Sequence, residues 1–295
     1  MSFNKDRFNL LQRAFYRVAK PVLSDAAYAN LCLRRWLGAG DVNYPKTFNE
    51  KVQWLKIHDR NRRYVQLADK YSVRAFVEKK IGKGFLNDLL GFYQTPAEID
   101  WAALPDRFVF KVTHGSGMNI LVNDKSALDQ PKTVAQLRRW LKTDYSRKGR
   151  EWVYRDSPRK IIAERFLSDA TGQIPQDYKV FCFNGEPQYI QVDLDRFGHH
   201  RRVFFDADWH RQPFTILHET YDGDVPQPLH LPAMMEAARI LAQDIPFVRV
   251  DFYALPKLVF GEMTFYPGNG TGSFEPPDWD LRLGDRLKLP GTLGE

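Results

Sequence analysis

The dipeptide Asn184-Gly185 constrains this chain more than any other short stretch. It separates two runs, Tyr178–Phe183 and Pro187–Val192, that are rich in β-branched and aromatic residues. Asn-Gly accepts the positive φ angles that a two-residue type I′ turn demands, so the runs pair as an antiparallel hairpin. Any fold for the chain must build a sheet around that hairpin. Further strand patterns flank it. Phe108–Val112 and Met118–Val122 are joined by the small-residue turn Thr113-His-Gly-Ser-Gly117, and Ile161–Leu167 and Arg202–Phe205 stand alone. Phe247–Tyr253 and Leu258–Phe265 turn at Pro256-Lys257.

Helical patterns dominate the first third. Phe8, Leu11, Phe15 and Val18 share one face of a basic helix that Pro21 ends, and a second helix runs from the Ser24-Asp25 cap to Gly38. Thr47-Phe-Asn-Glu50 is a capping box opening a helix through Trp54. The spacing over Asn61–Ile81 predicts one helix ending at Gly82, with Asp69-Lys70 inside it and Arg74 one turn on. Val134, Leu137 and Leu141 mark a helix after Pro131, and Met234–Ala242 another. Helices first, then strands with interspersed helices, give an α+β class with mainly antiparallel sheets. With 295 residues, the expected division is a helical extension (1–44), a helical region (45–105) and a β-rich unit (106–295).

Composition narrows the function. Two cysteines, Cys32 and Cys182, are too few for a disulfide framework. No run approaches the ~18 apolar residues of a membrane span. The expectation is a cytoplasmic protein. Its basic first helix either packs on its own domain or touches the inner face of a membrane. The net charge of +7 favours anionic partners, but the aromatics do not interleave with it as nucleic-acid binding requires, so no nucleic acid is expected.

The standard P-loop, dinucleotide, zincin and nucleophile-elbow motifs are absent. His199-His200 lacks a neighbouring third ligand and reads as a polar turn. What remains is a set of cations, glycine turns and strand carboxylates. Lys111 sits in an apolar strand that leads into His114-Gly-Ser-Gly117, where a phosphate would satisfy both ammonium and loop amides. An ordinary hairpin with an edge lysine satisfies the same pattern. Asp251 and Glu262 lie on paired strands, where they suit a hard dication or, equally, ion pairs such as one to Arg249. The glycine-rich Tyr266–Gly272 reads either as a flexible loop or as a substrate contact.

Taken in order, Asp69-Lys70, Lys111 with Gly115-Ser-Gly117, Glu164-Arg-Phe-Leu167, and Asp251 with Glu262-x-Thr264-x-x-Pro267-Gly268 resemble the ATP-grasp superfamily. Four longer stretches, Pro45–Leu55, Phe110–Gly117, Asp177–Gly185 and Phe260–Phe265, resemble its TupA-like branch, named for teichuronopeptide biosynthesis. The resemblance runs from about Leu23 to Leu289. It implies an ATP-grasp fold, with nucleotide held between two α+β lobes. It also implies ATP-contacting roles for Lys70, Lys111, Gly115, Ser116, Gly117 and the hinge Glu164, Arg165, Phe166 and Leu167. Asp251 and Glu262 match Mg2+ ligands, and Thr264 stands where an asparagine is usual. Lys179, Arg201 and Arg202 would face the γ-phosphate and acceptor. The implied activity is ATP- and Mg2+-dependent joining of a small-molecule or sugar-linked carboxylate to an amine through an acyl phosphate, in capsule, teichuronopeptide or O-antigen assembly. A kinase of the same fold acting on a sugar hydroxyl, and a catalytically silent nucleotide- or anion-binding module, are the alternatives.

Overall fold

A computed structural model describes residues 22–194 and 199–291, apart from the Lys148 side chain. The amphipathic stretch read as the first helix lies outside the described residues. Helices α1 (Asp25–Leu37), α2 (Phe48–His58), α3 (Arg63–Ala68) and α4 (Val73–Ile81) come first. Strands β1 (Leu89–Tyr93), β2 (Phe108–Val112) and β3 (Asn119–Val122) follow, then α5 (Gln130–Lys142), α6 (Ser146–Gly149) and β4 (Ile161–Arg165). The rest comprises β5 (Asp177–Phe183), β6 (Glu186–Leu194), β7 (Arg201–Asp206), β8 (Thr215–Ile216), β9 (Glu219–Thr220), α7 (Leu231–Ala242), β10 (Phe247–Ala254), β11 (Leu258–Thr264), β12 (Phe274–Glu275) and α8 (Trp279–Arg286).

The strands form a four-stranded sheet ordered β1-β4-β2-β3, a six-stranded sheet ordered β11-β10-β5-β6-β7-β9, and the small pair β12-β8. Pairing is antiparallel except between β7 and β9. The β5–β6 hairpin turns at Asn184 (φ 51°) and Gly185 (φ 86°), both in the left-handed region that its turn requires. The Thr47–Glu50 capping box forms at α2, and Ser24 caps α1.

Two cores lie beneath the two sheets. Phe108, Phe110, Ile161 and Ala163 of the four-stranded sheet pack with Leu137 of α5. The larger core includes Val180, Cys182, Ile190 and Val250 with Ala238 and Leu241 of α7. On the opposite face of the large sheet, Phe48 of α2 packs edge-on against Phe247 at 4.9 Å and lies close to Phe181 and Phe183. Strand alternation therefore leaves Asp177, Lys179, Gln191, Arg249 and Asp251 on the face away from α7.

Two expectations change. The single helix over 61–81 is broken at Asp69–Ser72, because Asp69 Oδ1 accepts the amides of Tyr71 (3.1 Å) and Ser72 (2.8 Å), a local alternative to the helical ladder. The break brings the Lys70 amide to the carbonyl of Thr113, at the end of β2. Second, β1 lies inside the stretch read as helical and forms an edge of the four-stranded sheet. Its interior Gly91 and a register shift between Leu89 and Gly91 mask the strand pattern.

Candidate functional site

The cleft-facing side of the small sheet carries one cluster of charge. Lys111 of β2 donates to Glu164 Oε2 on neighbouring β4 at 2.7 Å, and Arg74 Nη1 of α4 reaches Glu164 Oε1 at 3.1 Å. Arg74 also donates to the carbonyl of Asn87 at 2.7 Å. Burial works against the Lys111 ammonium, but Glu164, with Tyr253 and Glu262 beyond it, more than offsets this and holds its pKa above the ordinary lysine value. Burial likewise opposes ionised Glu164, and Lys111 and Arg74 overcome it and lower its pKa.

Beside this pair opens a cleft lined by Lys111, Glu164, Arg165, Phe166, Leu167, Ile174 and Tyr253 among others. The four hinge residues named from the sequence thus line one cavity with Lys111. The Lys70 ammonium lies 2.5 Å from the carbonyl of Gly115 in the glycine turn and 3.3 Å from Glu262 Oε2 on the large sheet. It therefore ties the turn that also holds Ser116 and Gly117 to the opposite sheet.

The large sheet contributes a buried ionic ladder. Asp251 pairs in register with Glu262 on one side and Lys179 on the other, and Lys179 with Gln191. Arg249 forks onto Asp251 through Nε (2.7 Å) and Nη2 (2.6 Å), and Nη2 also reaches Thr264 Oγ1 at 3.2 Å. The ion-pair partner weighed for Asp251 is therefore the one that the structure shows. Lys179 contacts Asp177 and lies 3.3 Å from Asp193 Oδ2. Arg202 donates through Nε to Asp193 Oδ1 at 2.6 Å.

Burial pushes the Asp251 carboxyl up to about 6, against the pull of Arg249 and Lys179. For Glu262, the burial cost is outweighed by Lys70 and Arg249, which bring it down to about 2. For Asp193, burial is overcome by His200, Arg202 and Lys179, which hold it well below the ordinary carboxylate range.

Two carboxylates and the Thr264 hydroxyl on adjacent strands form an oxygen donor set that fits a hard dication. Asp251 is already paired with Arg249 and Glu262 with Lys70. Asp251, Glu262 and Thr264 would hold it.

The sequence treated Arg201 and Arg202 as a unit, and the structure separates them. Neighbours on a strand point to opposite faces. Arg202 enters the ladder, whereas Arg201 lies over the Tyr221 ring at 4.6 Å. One participant was missed. Helix α2, read from the sequence only as a capped helix, places Asn49, Gln53 and Lys56 against the Tyr266–Gly272 loop.

A family model described as TupA-like ATPgrasp matches residues 50–288. Among solved structures, similarity extends to N5-carboxyaminoimidazole ribonucleotide synthetase in its ADP complex, with TM-score 0.42, 11% identity, 73% of this chain and 50% of that one. It extends also to D-alanine–D-alanine ligase from Bacillus anthracis, with TM-score 0.40, 14% identity, 68% of this chain and 57% of that one. The chain thus spans between half and three-fifths of these two structures. Comparison with curated proteins gave no match. No helix among the described residues is long and apolar enough to cross a membrane.

Proposed function

The chain belongs to the TupA-like ATP-grasp family and has the ATP-grasp fold, and from that premise we propose that it is an ATP- and Mg2+-dependent carboxylate–amine ligase of surface-polysaccharide assembly. The observation that carries the reading is that Lys111 and Glu164–Leu167 line one cleft, while Lys70 joins the Gly115 turn to Glu262 of the large sheet. In this reading the adenine lies along the hinge, and Lys70 and Lys111 turn from their carboxylates to phosphate oxygens.

A free carboxylate is a poor acyl donor. Attack by its oxygen on the γ-phosphorus breaks the bond to the bridging oxygen, releases ADP and leaves an acyl phosphate. An amine then attacks the acyl carbon, expels inorganic phosphate and loses a proton, giving the amide. The chain's part is to position the reactants and to offset charge as it moves, the work to which buried Lys179 and Arg202 are suited. The metal ion would neutralise phosphate charge.

Interception tests the reaction. With ATP, Mg2+ and a carboxylate that stimulates ADP release, hydroxylamine should yield a hydroxamate, suppressed by the natural amine. Carboxylate labelled with heavy oxygen should pass one labelled atom to the released phosphate. A stable phosphate ester with unlabelled phosphate and no hydroxamate would establish a kinase instead. Absence of ADP release above background with every carboxylate and amine offered would leave a silent binding module.

A further inference from the structure

Charge is spread unevenly along the chain. Residues 130–160 contain ten Lys and Arg against three Asp and Glu, an excess of seven that equals the net charge of the whole chain. The remaining residues therefore balance. Helix α5 opens this stretch and contains no acidic residue. With 3.6 residues per turn, Lys132, Arg138, Arg139 and Lys142 fall within about 120° of one another around the helix and within about 15 Å along its axis. All four are exposed, and none has an acidic partner among the described residues. Arg159 extends the patch past the end of α5, where it donates to the carbonyl of Leu141 at 3.4 Å. Arg138 and Lys142 stand four apart, a spacing at which like charges oppose the helix, so a face kept only for solvation would gain from interspersed acids.

The inner side of α5 is occupied. Leu137 packs with Phe108 and Phe110 of β2, whereas Val109 and Lys111, on the opposite face of that strand, line the hinge cleft. The basic face thus lies on the far side of the small sheet from the cleft. Among the described residues, no large apolar side chain is exposed between positions 130 and 160. Protein interfaces are anchored by aromatic and other large side chains and are depleted in lysine, so a protein partner matches this face poorly. A helix face is also convex and offers no groove to a linear polyanion, and the hollow at the N-terminal end of α5 carries Asp106 and Asp129 in its lining. A plane of anionic headgroups needs neither groove nor anchor, because mobile lipids gather beneath fixed cations.

We infer that the exposed face of α5 docks the protein on an anionic phospholipid surface, by electrostatic contact without insertion. Lys132, Arg138, Arg139 and Lys142 meet the headgroups, and the nucleotide cleft stays open on the side away from the lipid. Each Lys or Arg brought to such a surface adds about fivefold to binding, and salt screens the attraction. This contact is separate from the one weighed for the basic N-terminal stretch, and it does not depend on the ligase reading.

Sedimentation of the full chain with vesicles tests the assignment. Phosphatidylcholine vesicles containing about 30% phosphatidylglycerol should bind the protein at about 50 mM salt, pure phosphatidylcholine vesicles should not, and about 500 mM salt should release it. Arg138→Gln/Lys142→Gln should weaken binding about tenfold or more, whereas Lys79→Gln/Lys80→Gln, the same loss of charge at exposed positions of α4, should change it by less than about threefold. Arg138→Lys/Lys142→Arg, which keeps both charges, should bind as the wild type does, and all three variants should melt with it. Failure to bind the anionic vesicles, equal binding to the neutral ones, or equal losses in the two glutamine variants would overturn the assignment. So would loss confined to Arg13→Gln/Arg17→Gln, which would move the contact to the N-terminal stretch. Tighter binding of soluble polygalacturonate than of vesicles at equal anionic charge would give the face to a linear polyanion and likewise overturn it.

Discussion

Removal of Arg249 should expose how the large sheet carries its charge. Arg249 gives Asp251 two charge-assisted bonds, at 2.7 and 2.6 Å, and the two side chains are only 13% and 7% exposed. Deleting one partner of a buried pair costs ~3–5 kcal/mol, because the other charge is left uncompensated. Arg249→Met should therefore lose about that much stability near pH 8. The sign of the pH effect follows from Asp251. Its folded pKa of about 6 already lies above the unfolded value of 3.8, so ionised Asp251 costs folding energy and stability falls as pH rises through that window. Without Arg249 the folded pKa climbs further and the window extends upward. A further rise of ~2 units corresponds to ~2.7 kcal/mol. Near pH 5 the carboxyl is then neutral, and the penalty should shrink by about that amount. Urea unfolding of the wild type, Arg249→Met, Asp251→Asn and the double variant at the two pH values gives a coupling energy, expected to be ~2–3 kcal/mol near pH 8. Coupling below ~0.5 kcal/mol, or the same penalty at both pH values, would refute the reasoning.

Lys111→Ala should weaken ATP by roughly ten- to hundredfold while adenosine changes little, as calorimetry with both ligands would show, and the protein should stay folded because Arg74 still holds Glu164. Gly270→Ala should destabilise by ~1–3 kcal/mol in urea, since φ is +63° and a Cβ would come within 3.1 Å of Val52 and 3.2 Å of the Asn49 carbonyl. Gly117→Ala, equally left-handed at φ +75° but facing open space, should cost only ~1 kcal/mol in the same measurement.

Local signals translated directly into structure. Asn184-Gly185 made its turn, Thr47 and Glu50 made their box, and Glu164–Leu167, singled out by the family resemblance, line one cavity with Lys111. What stayed hidden depended on partners distant in sequence. Asp69 breaks a helix whose apolar spacing continues past it, and the Lys70 set free by the break finds its partners at Gly115 and Glu262. The polar face of α2 has meaning only once residues some 213–223 positions away lie against it. The division of Arg201 from Arg202 was readable in principle, since strand geometry forbids adjacent side chains from sharing a face.

The bonding of the cleft also bears on the origin of its attraction for anions. The cations described there are Lys70, Arg74, Lys111, Lys179, Arg202 and Arg249, and the anions Glu164, Asp177, Asp193, Asp251 and Glu262, six against five. The chain as a whole carries +7, so nearly all of its excess lies outside this group of residues. Long-range steering toward the protein thus originates mostly outside this group of residues, while in the proposed function a phosphate entering the cleft would take a lysine only by releasing its carboxylate.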